Sequence, residues 1–283
     1  MKPQADLYIS GAREVITCEP GEGDLLGRIP GGAVAIRGSR ILSVGSPRKV
    51  AAEVDLSAAR TLPAEGRIVA PGFVDCHTHL VFGGSRGREY ALKMTRTTAE
   101  IERSGLTCGI PASIAMTREA GEEELLTAAL DRLGRMLAHG TTTVESKSGY
   151  GIRAEAEFRQ LRVNRRLGEL QPVTVVSTFL GAHDFPPEID RDDPGKRRAY
   201  IRQLTEEMIP RAAGEKLAEF CDIYCDTGYY TREEAGEILS CGRAHGLAPK
   251  IHTDAYANVG GSGLDGGSRC RDRPGLAVPF HQP

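Results

Sequence analysis

The chain has 283 residues, 40% of them hydrophobic and 26% charged, with a formal net charge of −2, a balance that speaks against a nucleic-acid or polyanion partner. That length can build one large domain, or one plus a small companion, around a sizeable core. Seven cysteines without a disulfide rhythm, no signal-like start and no run near the ~18 apolar residues of a membrane span predict a reduced, cytoplasmic protein with no membrane partner.

Residues 1–67 are punctuated by Gly, Pro and Asp, and short strands are expected at 5–9, 32–36 and 40–44, where apolar residues alternate or run between turn residues. These make a small β-rich module with a structural role. The next stretch, 68–86, reads IVAPGFVDCHTHLVFGGSR. Its apolar run through 71–75 is expected to be buried and to end in His77, Thr78 and His79. Side chains alternate along a strand, so His77 and His79 project together while Thr78 turns away. Two adjacent imidazoles are ready ligands for zinc or iron, although a bare HxH also fits two solvent-facing loop histidines.

From residue 68 onward strands alternate with helices. A helix is expected over 122–140, where Leu125, Leu126, Ala129, Leu133, Met136 and Leu137 fall at helical spacing and Gly140 supplies the C-cap. A strand at 141–145, a helix at 154–170 and a strand at 173–179 follow. Then come a helix at 200–213 interrupted by Pro210, a strand at 220–224, a helix at 231–245 and a strand at 249–252. Thr231 and Glu234 have capping-box spacing. The mixed-sign run 191–198 reads as a solvated loop, and Cys76 and Cys221 as small packing residues, since Cys221 and Cys225 lack a second pair for structural zinc.

Such alternation implies parallel strands and right-handed crossovers. The strand ends carry His77 and His79, Glu145 and Lys147, His183, Cys225 and Asp226, and His252 with Asp254. In (β/α)8 barrels the chemistry collects at that edge. A complete barrel takes about 250 residues, yet the pattern stops near residue 262 after about five βα units. The expected fold is therefore an incomplete (β/α)8 TIM-type barrel over 68–262, behind the module at 1–67. The tail at 263–283 has neither period and reads as a shifted reading frame or a truncated gene, because a genuine flexible end would leave open strand edges.

Three stretches, HTHLVFGGSR at 77–86, TVESKSGYG at 143–151 and STFLGAH at 177–183, are joined by FCDI at 220–223 and KIHTD at 250–254. Together they closely resemble the metal-dependent amidohydrolases and, among them, the imidazolonepropionase family of histidine degradation. The resemblance implies one divalent metal, zinc or iron, held by His77, His79 and His252. It assigns Arg86 to the carboxylate of 4-imidazolone-5-propanoate, Tyr150 to a substrate contact, and His183 to a hydrogen bond with substrate and to proton transfer. His252 and His183 are thus the catalytic candidates. Water activated at the metal would attack the ring carbonyl and release N-formimidoyl-L-glutamate. The partner implied is this small molecule, and a homodimer is compatible.

Two departures from the family pattern stand out. Ala255 occupies the place of an acid, whose role is lost or falls to Asp254. The last-strand Asp ligand and the sixth-strand histidine belong beyond residue 283, and His281 is no substitute. Alternatives are another cyclic amidohydrolase or aminohydrolase, or a non-catalytic fragment that holds metal weakly and shows no turnover.

Overall fold

A computed structural model describes residues 1–21 and 23–264. The tail from 265, including His281, lies outside the described residues. The chain divides into two compact units after Gly72.

In the first unit, a four-stranded sheet is built from β1 (Leu7–Ser10), β4 (Ala33–Arg37), β5 (Arg40–Gly45) and β6 (Arg60–Pro63) in the order β5-β4-β1-β6. A three-stranded sheet joins β2 (Glu14–Ile16), β3 (Arg28–Pro30) and β7 (Ile68–Val69) in the order β3-β2-β7. Helix α1 (Pro47–Glu53) starts where the Ser46 side chain accepts from Lys49 N, with proline in its first turn. Ala33, Ala35 and Val50 are buried together. The three strands expected from the sequence are present; β2, β3, β6 and β7, of two to four residues, carry too few to show a period.

The second unit opens with β8 (Phe73–Thr78), followed by α2 (Gly87–Lys93), α3 (Thr98–Arg103), α4 (Gly109–Glu119) and α5 (Glu122–Ala138). Strand and helix then alternate as β9 (Thr141–Lys147), α6 (Ala154–Leu170), β10 (Thr174–Ala182), α7 (Pro194–Arg202), α8 (Ile209–Gly214), β11 (Phe220–Cys225) and α9 (Arg232–Ala244). The fifth strand position is split into β12 (Ala248–Pro249) and β13 (His252–Thr253), both paired with β11. All pairings are parallel, in the order β12-β11-β10-β9-β8. This is the curled sheet of a partial (β/α) barrel, and the parallel strands bring every C-terminal end to one edge.

Helices cover the outside. Leu125, Leu126, Ala129 and Leu133 of α5 meet Val163 and Leu167 of α6 and Val144 of β9 in one apolar cluster. Phe158 and Leu161 of α6 join Phe179, Ile223, Ile238 and Leu239 in the other. The capping box of α9 forms in full, with Thr231 accepting from Glu234 N and the Glu234 carboxylate from Thr231 N.

Three expectations need correction. The run before the histidines is not buried: Phe73 is 67% and Val74 49% exposed, because β8 stands at an edge of the described sheet and pairs on one side only. The run 191–198 is not a loop throughout. Asp193 caps α7 by accepting from Gly195 N and Lys196 N, Pro194 occupies its first turn, and Arg197 binds Glu234 at 2.6 Å. The helix therefore starts six residues ahead of 200, and the interruption near Pro210 takes the form of a π-helical segment at Gln203–Met208. Helices α2 to α4 add a segment that the sequence pattern does not announce.

Candidate active site

Four histidines meet at the C-terminal edge of the barrel sheet. His77 is the penultimate residue of β8 and His79 follows the strand, while Thr78 turns into the sheet and donates its hydroxyl to Glu145 O at 2.7 Å. His252 comes from β13 and His183 from just after β10. One nitrogen from each of His77, His79 and His252 lies within 4.8 Å of the others, a set that could hold a metal ion. The Nε2 atoms of His77 and His252 are 2.9 Å apart. Two ring nitrogens so close need a proton or a cation between them.

Each of the remaining ring nitrogens that the geometry defines is tied to an acceptor. His79 Nδ1 lies 3.1 Å from Ser148 O, His183 Nδ1 3.0 Å from Gly149 O, and His252 Nδ1 3.1 Å from Asp222 Oδ2. A proton held on Nδ1 leaves Nε2 with its lone pair free for a ligand, the usual device by which an outer partner orients a metal-binding imidazole. This donor chemistry fits a divalent cation.

The rings pack closely. His79 stacks on His183 with centroids 4.7 Å apart, and Tyr150 approaches His79 at the same distance. Burial, then the neighbouring His183 and His252, push the His79 imidazole well below its ordinary range. Burial and His252 bring His183 down to about 4. Near neutral pH both rings are uncharged, the state a ligand or a hydrogen-bonding histidine requires.

Beneath the histidines lies a layer of buried charge. Lys147 Nζ donates to Glu145 Oε1 at 2.6 Å and to Asp222 Oδ2 at 2.7 Å, and Lys250 Nζ lies 3.1 Å from Glu145 Oε1. Burial alone would lower the Lys147 ammonium, but Asp222 and Glu145 outweigh it and hold the group above its usual range. Burial likewise disfavours the Asp222 carboxylate, and His252 and Lys147 overcome this and draw it well below the usual range. Asp222 lies in the FCDI stretch that carries the resemblance, with no role assigned to it there; a carboxylate inside the otherwise apolar FCDIYC strand is the signal for one.

Arg86 sits at the N-cap of α2, exposed, 3.7 Å from Glu89 Oε2. Burial raises the Tyr150 phenol, and the Arg86 charge acts against that rise. Ala255 is exposed, and its N–H donates to Asp226 Oδ2 at 2.7 Å, as does that of Tyr256 at 3.0 Å. Asp254 has φ +58 and accepts from Val259 N at 2.9 Å. Its carboxylate is engaged with its own loop.

No family model matches the chain. The imidazolonepropionase of Geobacillus thermodenitrificans is 42% identical over 269 residues, which cover 91% of this chain and 62% of that protein. That of Symbiobacterium thermophilum is 41% identical over 271 residues, covering 93% and 62%, and that of Haloarcula marismortui 39% over 261 residues, covering 92% and 60%. The chain thus spans about three fifths of the length of the curated relatives it matches. Among solved structures, 5-methylcytosine deaminase from Klebsiella pneumoniae superposes with a TM-score of 0.57 at 15% identity, over 88% of this chain and 52% of that one. A zinc-bound adenosine deaminase from Xanthomonas campestris gives 0.51 at 17%, over 89% and 50%. These likenesses establish the barrel fold. Among the described residues, no helix is long and apolar enough to cross a membrane.

Proposed function

We propose that, over the part that it spans, the chain belongs to the imidazolonepropionase family and that its site serves hydrolysis of the cyclic amide of 4-imidazolone-5-propanoate to N-formimidoyl-L-glutamate. The observation that carries the reading is the meeting of three ligand-capable histidines with His183 and Tyr150 at one sheet edge. His77, His79 and His252 would hold one divalent metal, zinc or iron. Bound there, the metal supplies a Lewis acid and lowers the pKa of water toward neutrality.

The chain's own residues do the rest. Arg86 offers a planar guanidinium that can grip the propanoate with two parallel hydrogen bonds. Tyr150 closes against the ring of the substrate, where its flanking glycines let the loop approach. His183, neutral because of its burial and with its Nδ1 proton held by Gly149 O, would accept at Nε2 the proton released as water adds to the ring carbonyl and pass it to the departing nitrogen. Asp222 keeps the His252 ring turned so that Nε2 faces the other two histidines.

A substrate panel tests this. Binding of 4-imidazolone-5-propanoate to the zinc-loaded chain is measured by calorimetry against cyclic ureides that lack a carboxylate, and products are followed by NMR in the same samples. The reading requires tighter binding of the carboxylated imidazolone, loss of that preference in Arg86→Met, and N-formimidoyl-L-glutamate as the only product of turnover. Equal binding of the uncarboxylated ureides contradicts it and favours another cyclic amidohydrolase or aminohydrolase activity.

A further inference from the structure

Behind Tyr150, the loop from Ser148 to Ile152 turns its N–H groups inward, onto two fully buried side chains of α6. Gly149 N donates to Glu157 at 3.1 and 3.0 Å, Gly151 N at 2.7 Å and Ile152 N at 2.8 Å. Tyr150 N donates instead to Gln160 Oε1 at 3.2 Å, and the Gln160 amide is itself anchored by donating to Val81 O at 2.7 Å. A buried carboxylate is costly unless its oxygens are filled, and here the Ser148 side chain and backbone donors fill them.

A trans peptide is planar, with its C=O and N–H pointing opposite ways. The Gly149 N–H that reaches Glu157 therefore forces the Ser148 carbonyl outward, where it meets His79 Nδ1 at 3.1 Å. The Tyr150 N–H that reaches Gln160 forces the Gly149 carbonyl outward, where it meets His183 Nδ1 at 3.0 Å. From the far side, Arg118 Nε donates to Gly151 O at 2.7 Å. The loop holds the β-branched Ile152 at φ +48, a conformation that needs such over-determination, while Gly149 at φ +108 uses the freedom that glycine has.

We infer that Glu157 and Gln160 are positioning residues that select the tautomers of His79 and His183, each through one rigid peptide: Glu157 through 148–149 to His79, and Gln160 through 149–150 to His183. The inference deepens the functional reading, since it concerns the same histidines, but its readout requires neither metal nor substrate. Failure of the substrate panel therefore leaves this test intact, and the reverse also holds.

The test is long-range 1H–15N NMR of the imidazole rings in the metal-free 283-residue chain at pH 7.5, for the parent, Glu157→Gln and Gln160→Met. His252, whose Nδ1 faces Asp222, is the internal reference. Expected is a single Nδ1–H tautomer at all three rings in the parent. In Glu157→Gln, His79 becomes a tautomer mixture; in Gln160→Met, His183 does so and His79 is unchanged; His252 stays fixed in both. Unchanged His79 and His183 signals, or joint movement of all three rings, overturn the inference. If Glu157→Gln does not fold, Gln160→Met decides alone: a His183-only change supports the coupling, and any other pattern refutes it.

Discussion

His252 Nδ1 lies 3.1 Å from Asp222 Oδ2, the same oxygen that accepts from Lys147 Nζ at 2.7 Å. One carboxylate thus serves both a candidate metal ligand above it and a buried ammonium below. Lys147→Met would leave Glu145 and Asp222 facing each other in the interior without their shared cation. Breaking a buried pair on one side costs roughly 3–5 kcal/mol, so urea unfolding should show a loss of that order. Lys250→Met, at a partly exposed cation, should cost clearly less; equal losses would show that the two lysines carry the same burden.

Acid should weaken the metal-free chain through its buried imidazoles. His183 is 5% exposed and sits at about 4 against an ordinary 6.5. As pH falls through 6.5 the unfolded chain takes up a proton that the folded chain refuses, so stability drops until the folded ring titrates near 4. The loss from this ring is on the order of 3 kcal/mol, and His79 acts in the same direction. Between pH 7.5 and 5, urea unfolding should show about 2 kcal/mol of this loss, and His183→Asn should flatten the slope. A midpoint that rises on acidification contradicts the assignment.

At Gly149 the backbone has φ +108, and an added Cβ would sit 3.0 Å from His183 Nδ1 and 3.1 Å from Leu180 O. Gly149→Ala should destabilise the fold by about 1–3 kcal/mol and displace His183. Gly134→Ala makes a control, since it lies within α5 and a Cβ there meets nothing within 4 Å. It should be neutral or slightly stabilising, because alanine is favoured over glycine inside a helix. Thermal melts compare the two, and equal melting points would contradict the crowding seen at Gly149.

These particulars show how far residues alone reach. The α5, α6 and α9 helices were legible because their apolar positions recur at helical spacing and Thr231 and Glu234 announce a start. The period-2 placement of His77 and His79 was legible for the same kind of reason. Exposure of Phe73 and Val74 was not, since an apolar strand reads the same at the centre of a sheet and at its edge. Glu157 and Gln160 were invisible as well: on α6 they look like the polar side of an amphipathic helix, and only the folded loop from 148 to 152 turns that side into an interior one. Asp222 shows the intermediate case, a charge out of place in an apolar strand whose partner lies 75 residues away in sequence.

The three-histidine centre is tested most directly by titrating the metal-free chain with Co2+ and reading the visible absorption of the bound ion. One equivalent should bind in the parent and in His183→Ala. Affinity should be lowered at least tenfold in each of His77→Ala, His79→Ala and His252→Ala. Titrations of the His77→Ala and His252→Ala chains that match the parent would contradict a metal site at these strand ends.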